Sequence, residues 1–512
     1  MDRGYRPEAL RRPPGANPSL PGAYMVLAFS GGGTRATALA QGVLRELDTV
    51  PAPGARRGLR LARADATSRR PTLLEAVDMI SSASGGSVAA ANFALLGPER
   101  YREIEGPDGF LRHRGLRELV VGVLNPANAA YYSLTPASRI ELLSAMFQRK
   151  LFGQATYRDL EALGPRRPFL VLNAADMASG ERFPLTQQQL DRLCLDIRDL
   201  RLADAVAASA AFPVLLTPLP LPNHSPCTAQ REIVAATDPA QPLRDDRERV
   251  LEAIVNEADL GTLDEPESDC GVPARTLRTG EDLQVRRGLR QFPLLNLEPC
   301  TLRPLRPDDP RRVRMVHLLD GGTADNLGLS GPLETLTTDG DDRRVFQAIR
   351  ASRVDHVVVV AVNARSQSAE RVGADGSTPG VFSMLFGTIN TAIDGRTGGL
   401  LAQLPVLKEL LDARAREMGR TIRVTTIPVD FEMIRDPACR AAFQAIDTTW
   451  TLSDREVDAV MEMGGAMLRA SPGLSSLAAL PQGEAETGQA RAAAACRSLQ
   501  GLPPPTARVT SR

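Results

Sequence analysis

Two glycine-rich turns, Ser82-Ala83-Ser84-Gly85-Gly86 and Asp320-Gly321-Gly322, carry a hydroxyl and a carboxylate that could act together on an ester. The first is a variant of the Gly-x-Ser-x-Gly elbow, in which a serine occupies the apex of a strained strand-to-helix turn and small neighbours avoid clashes. Ser82 stands where that pattern has its first glycine, and Ser81, Ser82 and Ser87 lie off the apex. A serine hydroxyl needs a base. Of the four histidines, His113, His224, His317 and His356, only His356 follows Asp320, as the chain order Ser, acid, His requires. It opens an apolar run instead of following the last strand, so a histidine triad is poorly supplied. A carboxylate can serve directly, taking the serine proton and returning it to the leaving group, and Asp320 suits that role. Either motif alone also has an ordinary use as a turn.

A third turn, Gly31-Gly32-Gly33-Thr34-Arg35-Ala36, follows the apolar run 24–29. It matches the dinucleotide pattern GxGxxA loosely. That fold also needs an acidic residue at a second strand end about 20 residues on. The place is held instead by the Pro- and Arg-rich stretch 51–71, with Asp48 before it. The same backbone geometry makes an anion hole, with several N–H groups at a helix start aimed at one oxygen.

The elements that must carry these turns are short apolar runs followed by Ala-rich segments. Strands are expected at 24–29, 73–80, 169–174, 316–319, 357–362 and 421–429, and helices after the first two, at 202–212, 400–417 and 454–468. Strands alternating with helices predict a mostly parallel sheet covered on both faces. Ligands of such sheets bind beyond the carboxyl ends of the strands, so all three turns should face one edge. We expect a flexible segment at 1–22, a catalytic domain at 23–470 interrupted by an insertion at 222–312 that would form a cap, and a disordered Ala/Gly/Pro/Ser tail at 471–512.

Composition narrows the function classes. The 512 residues carry 61 basic and 61 acidic side chains, which argues against nucleic acid as a partner. Six cysteines without a CxxC pair, and so few histidines, offer no zinc or haem site. Cys227, Cys270 and Cys300 fall in the insertion, leaving disulfides open. The first thirty residues read as no secretory leader. The uncharged stretch 205–222 holds four prolines, so it predicts a short helix and an extended segment, not a membrane span. Arg56, Arg57, Arg60, Arg63, Arg69 and Arg70 crowd one loop, and the apolar segment 380–393 is a second candidate for lipid contact.

Together, Gly-Gly-Gly-Thr-Arg at 31–35, Ser-Ala-Ser-Gly-Gly at 82–86, Ala-Ala-Ser-Ala-Ala-Phe-Pro at 207–213, and Asp-Gly-Gly at 320–322 with Asn326 after it resemble, in that order, the patatin-like phospholipases. The block from Asn173 to Gly180, followed by Phe183, resembles the same family, and the likeness covers 24–221 and 314–365. It implies a three-layer α/β/α patatin-like fold and a Ser–Asp dyad without histidine. Ser84 would be the nucleophile and Asp320 the general base; the amides of Gly31, Gly32 and Gly33 would form the oxyanion hole, and Arg35 would bind substrate. A phospholipid or other lipid ester is the implied substrate, with peripheral membrane contact and neither cofactor nor metal. Ala36 and Ser82 depart from the family's usual glycines. Two other readings stand beside this one: a nucleotide-binding Rossmann-type enzyme using residues 31–36, and a patatin-shaped lipid-binding protein without catalysis.

Overall fold

The computed structural model describes residues 5–10, 12–54, 71–112, 139–213, 215–227, 292–297, 304–337, 343–365, 405, 407–409, 411–413, 415–416, 419–446 and 452–501. The Arg-rich loop at 56–70, the apolar segment 380–393 and most of the 222–312 insertion lie outside them.

The apolar run after the first turn of chain becomes β1 (Ala23–Phe29), buried along its whole length. A strand covered on both faces has no polar side to alternate with, which is why it reads as a continuous run. β2 (Met79–Ala83), β3 (Phe169–Asp176), β4 (Arg182–Leu185), β5 (Leu219–Pro222), β6 (Met315–Asp320), β7 (His356–Asn363) and β8 (Arg423–Asp430) complete one sheet in the order β5-β6-β3-β2-β1-β7-β8, with β4 on β3. The five strands from β3 to β8 in that order are mutually parallel. β4 and β6 run antiparallel to β3, and β5 antiparallel to β6. The sheet is mixed, mostly parallel and flanked by helices, in agreement with the expected fold class.

Register brings the three turns to one edge. Phe29 is level with Ser82, Ala83 with Asn173, and Ala174 with Asp320. Because β6 is antiparallel, its carboxyl end reaches this edge beside β3 only by pairing residue 174 with residue 320. Helices α1 (Gly33–Thr49) and α2 (Gly85–Arg100) leave from the same edge. Downstream, α3 (Leu202–Ser209) and β5 divide the uncharged stretch 205–222 into helix and extended chain, as its prolines require. After β8 come the helices α4 (Pro437–Gln444), α5 (Asp454–Ala470), α6 (Pro472–Ala478) and α7 (Glu484–Gln500).

Two expectations are corrected. In the amino-terminal segment, Tyr5 is buried, stacks on Phe169 and accepts the Leu170 amide at 3.0 Å, while Arg12 pairs with Asp78 at 3.1 Å. An aromatic ring with apolar surface to bury thus anchors a stretch whose prolines and arginines suggested flexibility. Most of the tail expected to be disordered is helical: α6 and α7 run to Gln500. Alanine, read there as low complexity, is the best helix former. Arg491 of α7 bonds Glu46 of α1 at 2.7 Å and Glu462 of α5 at 2.6 Å, and a Cys439–Cys496 disulfide ties α7 to α4. A second disulfide joins Cys194 and Cys227. Among the described residues, no helix is long and apolar enough to cross a membrane, and no cluster of His, Cys, Asp and Glu could hold a metal ion.

Candidate active site

Ser84 sits between the end of β2 and the start of α2 with φ 49° and ψ −123°. A residue with a side chain pays of order 1–3 kcal/mol for such a conformation, which persists only where its surroundings over-determine it. Here its amide donates to Ser209, at 3.1 Å to the carbonyl and 3.0 Å to Oγ, and the Gly86 amide donates to the Ser30 carbonyl at 3.1 Å. The following glycine is a requirement of space: a methyl group on Gly85 would stand 2.1 Å from the Gly33 carbonyl oxygen. The elbow and the first glycine turn are therefore in backbone contact.

The Ser84 hydroxyl donates to Asp320 Oδ2 at 2.7 Å, while Oδ1 accepts the Gly322 amide at 2.7 Å. Asp320 is 3% exposed. Burial pushes its carboxyl up to about 6, against the Ser84 and Gly322 hydrogen bonds, which favour the charged form. A carboxylate that binds a serine proton this closely, and ionises near neutrality, is placed to exchange it.

The glycine turn lies against the serine. A Cβ on Gly31 would approach the Ser84 Cβ to 3.1 Å. Its three amides are not equivalent, however. Gly31 donates to the Asn326 carbonyl at 2.9 Å, so its N–H is already committed inside the fold. Gly32 caps α1 and Gly33 opens it, at a helix end where amides have no intrahelical acceptor. Of the three expected amides, that of Gly31 thus points into the fold, and those of Gly32 and Gly33 stand at the open helix start.

Arg35 is also corrected. It is 1% exposed, with Nε donating to the Ala364 carbonyl at 2.9 Å and Nη1 to the Ile446 carbonyl. Its cation braces the turn against the segments after β7 and α4; it does not face a substrate. His356 pairs in register with Ala23, at the end of the sheet opposite Ser84, and its Nε2 lies 2.9 Å from Thr425 Oγ1. A triad through it is geometrically closed.

Ser209 lies within the Ala-Ala-Ser-Ala-Ala-Phe-Pro block at 207–213, whose residue types alone assign it no role. An isolated hydroxyl within an alanine-rich helix that ends at the sheet edge was the available signal. Asn326 was likewise noted without a role: its carbonyl holds Gly31, and its Oδ1 is 2.5 Å from where a Gly31 Cβ would be.

Residues 27–225 match the family model of patatin-like phospholipases. Among solved structures, human GIVD cytosolic phospholipase A2 is similar at 12% identity and a TM-score of 0.35, with 96% of this chain and 65% of that chain covered. No curated protein matches the sequence.

Proposed function

From the patatin-like phospholipase segment that the chain carries at residues 27–225, we propose that it is a lipid acyl hydrolase working through Ser84 and Asp320. The observation that supports this most is the 2.7 Å hydrogen bond from the Ser84 hydroxyl to the Asp320 carboxylate. Asp320 takes the proton as Ser84 Oγ attacks the carbonyl carbon of a phospholipid or another lipid ester. The oxygen that becomes negative accepts hydrogen bonds from the Gly32 and Gly33 amides, fixed dipoles that need no reorganisation during the step. Asp320 then returns the proton to the departing alcohol oxygen as the C–O bond breaks, leaving the acyl group on Ser84. Water, deprotonated by the same carboxylate, then attacks the acyl carbon, and as the bond to Ser84 Oγ breaks the carboxyl returns the proton to Oγ and the fatty acid leaves. Contact with the lipid surface is peripheral in this reading.

Ser84→Ala is expected to lose both ester hydrolysis and labelling by a fluorophosphonate probe. Asp320→Asn should lower kcat by about 10²- to 10⁴-fold, the range for a positioned general base. His356→Ala should keep turnover. Undiminished hydrolysis by Ser84→Ala would overturn the assignment, and a folded chain that no fluorophosphonate labels would point to lipid binding without catalysis.

A further inference from the structure

Both peptide groups that carry the proposed dyad are held by one residue outside it. The Ser209 carbonyl accepts the Ser84 amide at 3.1 Å and the Gly321 amide at 3.0 Å, so a single oxygen links the nucleophile's backbone to the turn after Asp320. The Ser209 hydroxyl adds a second acceptor for the Ser84 amide at 3.0 Å.

The direction of the remaining bonds follows from proton counting. Ser209 Oγ lies 2.6 Å from the Asn173 carbonyl, which can only accept, so the single hydroxyl proton of Ser209 goes there. Ser87, 2.8 Å away, must then donate to Ser209 and accept from Ser82 at 3.1 Å. Asn173 is held in its turn, donating to Ser81 Oγ and the Ser82 carbonyl and accepting from Arg182 at 2.9 Å. Arg182 reaches Glu334 at 2.6 Å. Ser82, Ser87, Ser209 and Asn173 have no solvent exposure, so water cannot replace a lost partner. The hydroxyl chain therefore has one orientation, from Ser82 through Ser87 and Ser209 to the Asn173 carbonyl, and the amide of the strained Ser84 donates into it at Ser209.

We infer that Ser209 is a positioning residue, whose hydroxyl holds the Ser84 turn in the conformation that keeps Oγ within proton-transfer distance of Asp320. The inference rests on the Ser84–Asp320 reading. Ser209 itself touches no reacting atom. Without its hydroxyl the Ser84 amide keeps only the carbonyl acceptor, Ser87 loses its acceptor, and the strained turn can relax away from the carboxylate.

The test is Ser209→Ala in the full chain, with kcat expressed per active site titrated by a fluorophosphonate. A displacement of about 1 Å costs on the order of 10²-fold, so kcat should fall about 10- to 100-fold while KM stays within about two-fold. The acid limb of the kcat profile should also move above about 6, since the Ser84 hydroxyl helps to hold the Asp320 carboxyl down. A residue that merely supported folding would reduce the number of titratable sites and leave that limb in place. Ser209→Cys, which keeps a weak donor and acceptor, should fall between wild type and Ser209→Ala in both readouts, and it carries the test if the alanine variant does not fold. Wild-type kcat per site, or a lowered kcat with an unmoved acid limb, would overturn the positioning role. Hydrolysis persisting in Ser84→Ala would instead remove the dyad on which it rests.

Discussion

Asp320 answers to two demands that pull its ionisation in opposite directions. Burial disfavours its charge, whereas the hydrogen bonds from Ser84 and Gly322 and the proposed role as base favour it, and burial outweighs the hydrogen bonds to push the carboxyl up to about 6. Activity should therefore rise with pH through about 6, which a kcat profile on a soluble ester will read. The same shift bears on stability. The native carboxyl holds its proton more tightly than the unfolded one, whose ordinary value is 3.8. Ionisation therefore costs native stability as pH rises from about 4 to above 6, and below that window the cost is absent. Asp320→Asn should consequently unfold at higher denaturant concentration than wild type at pH 8, by up to about 3 kcal/mol at 1.36 kcal/mol per pH unit, and lose this advantage at pH 4. Denaturant titrations at the two pH values would show the opposite trend if burial did not set the carboxyl's affinity.

Between elements, a tight constraint is the crossing of α1 and α5. A methyl on Gly42 would stand 2.0 Å from the Met461 carbonyl oxygen, so the two helix backbones approach as closely as a residue without a side chain allows. Gly42→Ala must push α5 off the helix whose first turn bears the proposed oxyanion amides. Overpacking of this kind costs about 1–3 kcal/mol, and thermal unfolding should register it alongside a lower kcat. The strand-turn-helix units were legible in the chain because continuous apolar runs and glycine turns are local signals. The α1–α5 crossing was not, since Gly42 and Gly464 look in the sequence like helix-weakening residues and only the partner backbone explains them. Helix α7 is hidden in the sequence for a related reason: its alanines carry little hydrophobic pattern, and it is tied down by two contacts of Arg491 and a disulfide to distant segments.

Across the whole molecule, the carboxyl-terminal helices hold α1 at the end remote from its glycine turn. Glu46, 2% exposed on α1, receives Arg469 of α5 and Arg491 of α7, joining residues more than 400 positions apart. Removing one member of a buried ion pair strands its partners, at a cost of about 3 kcal/mol where these are partly hydrated. Glu46→Ala should lower Tm and loosen α5 and α7 together, as hydrogen exchange along both helices would show. By itself the sequence determined the residue types able to do chemistry, the glycine turns that present them and a mostly parallel sheet, because side-chain spacing and backbone freedom are properties of neighbours along the chain. Tertiary structure alone decided that Ser84 meets Asp320 at 2.7 Å, that His356 lies at the far end of the sheet, that the Gly31 amide and Arg35 are consumed internally, and that the Ser209 carbonyl receives the amides of Ser84 and Gly321. Those outcomes depend on strand register and on hydrogen bonds between distant segments, and no local pattern of side chains specifies either.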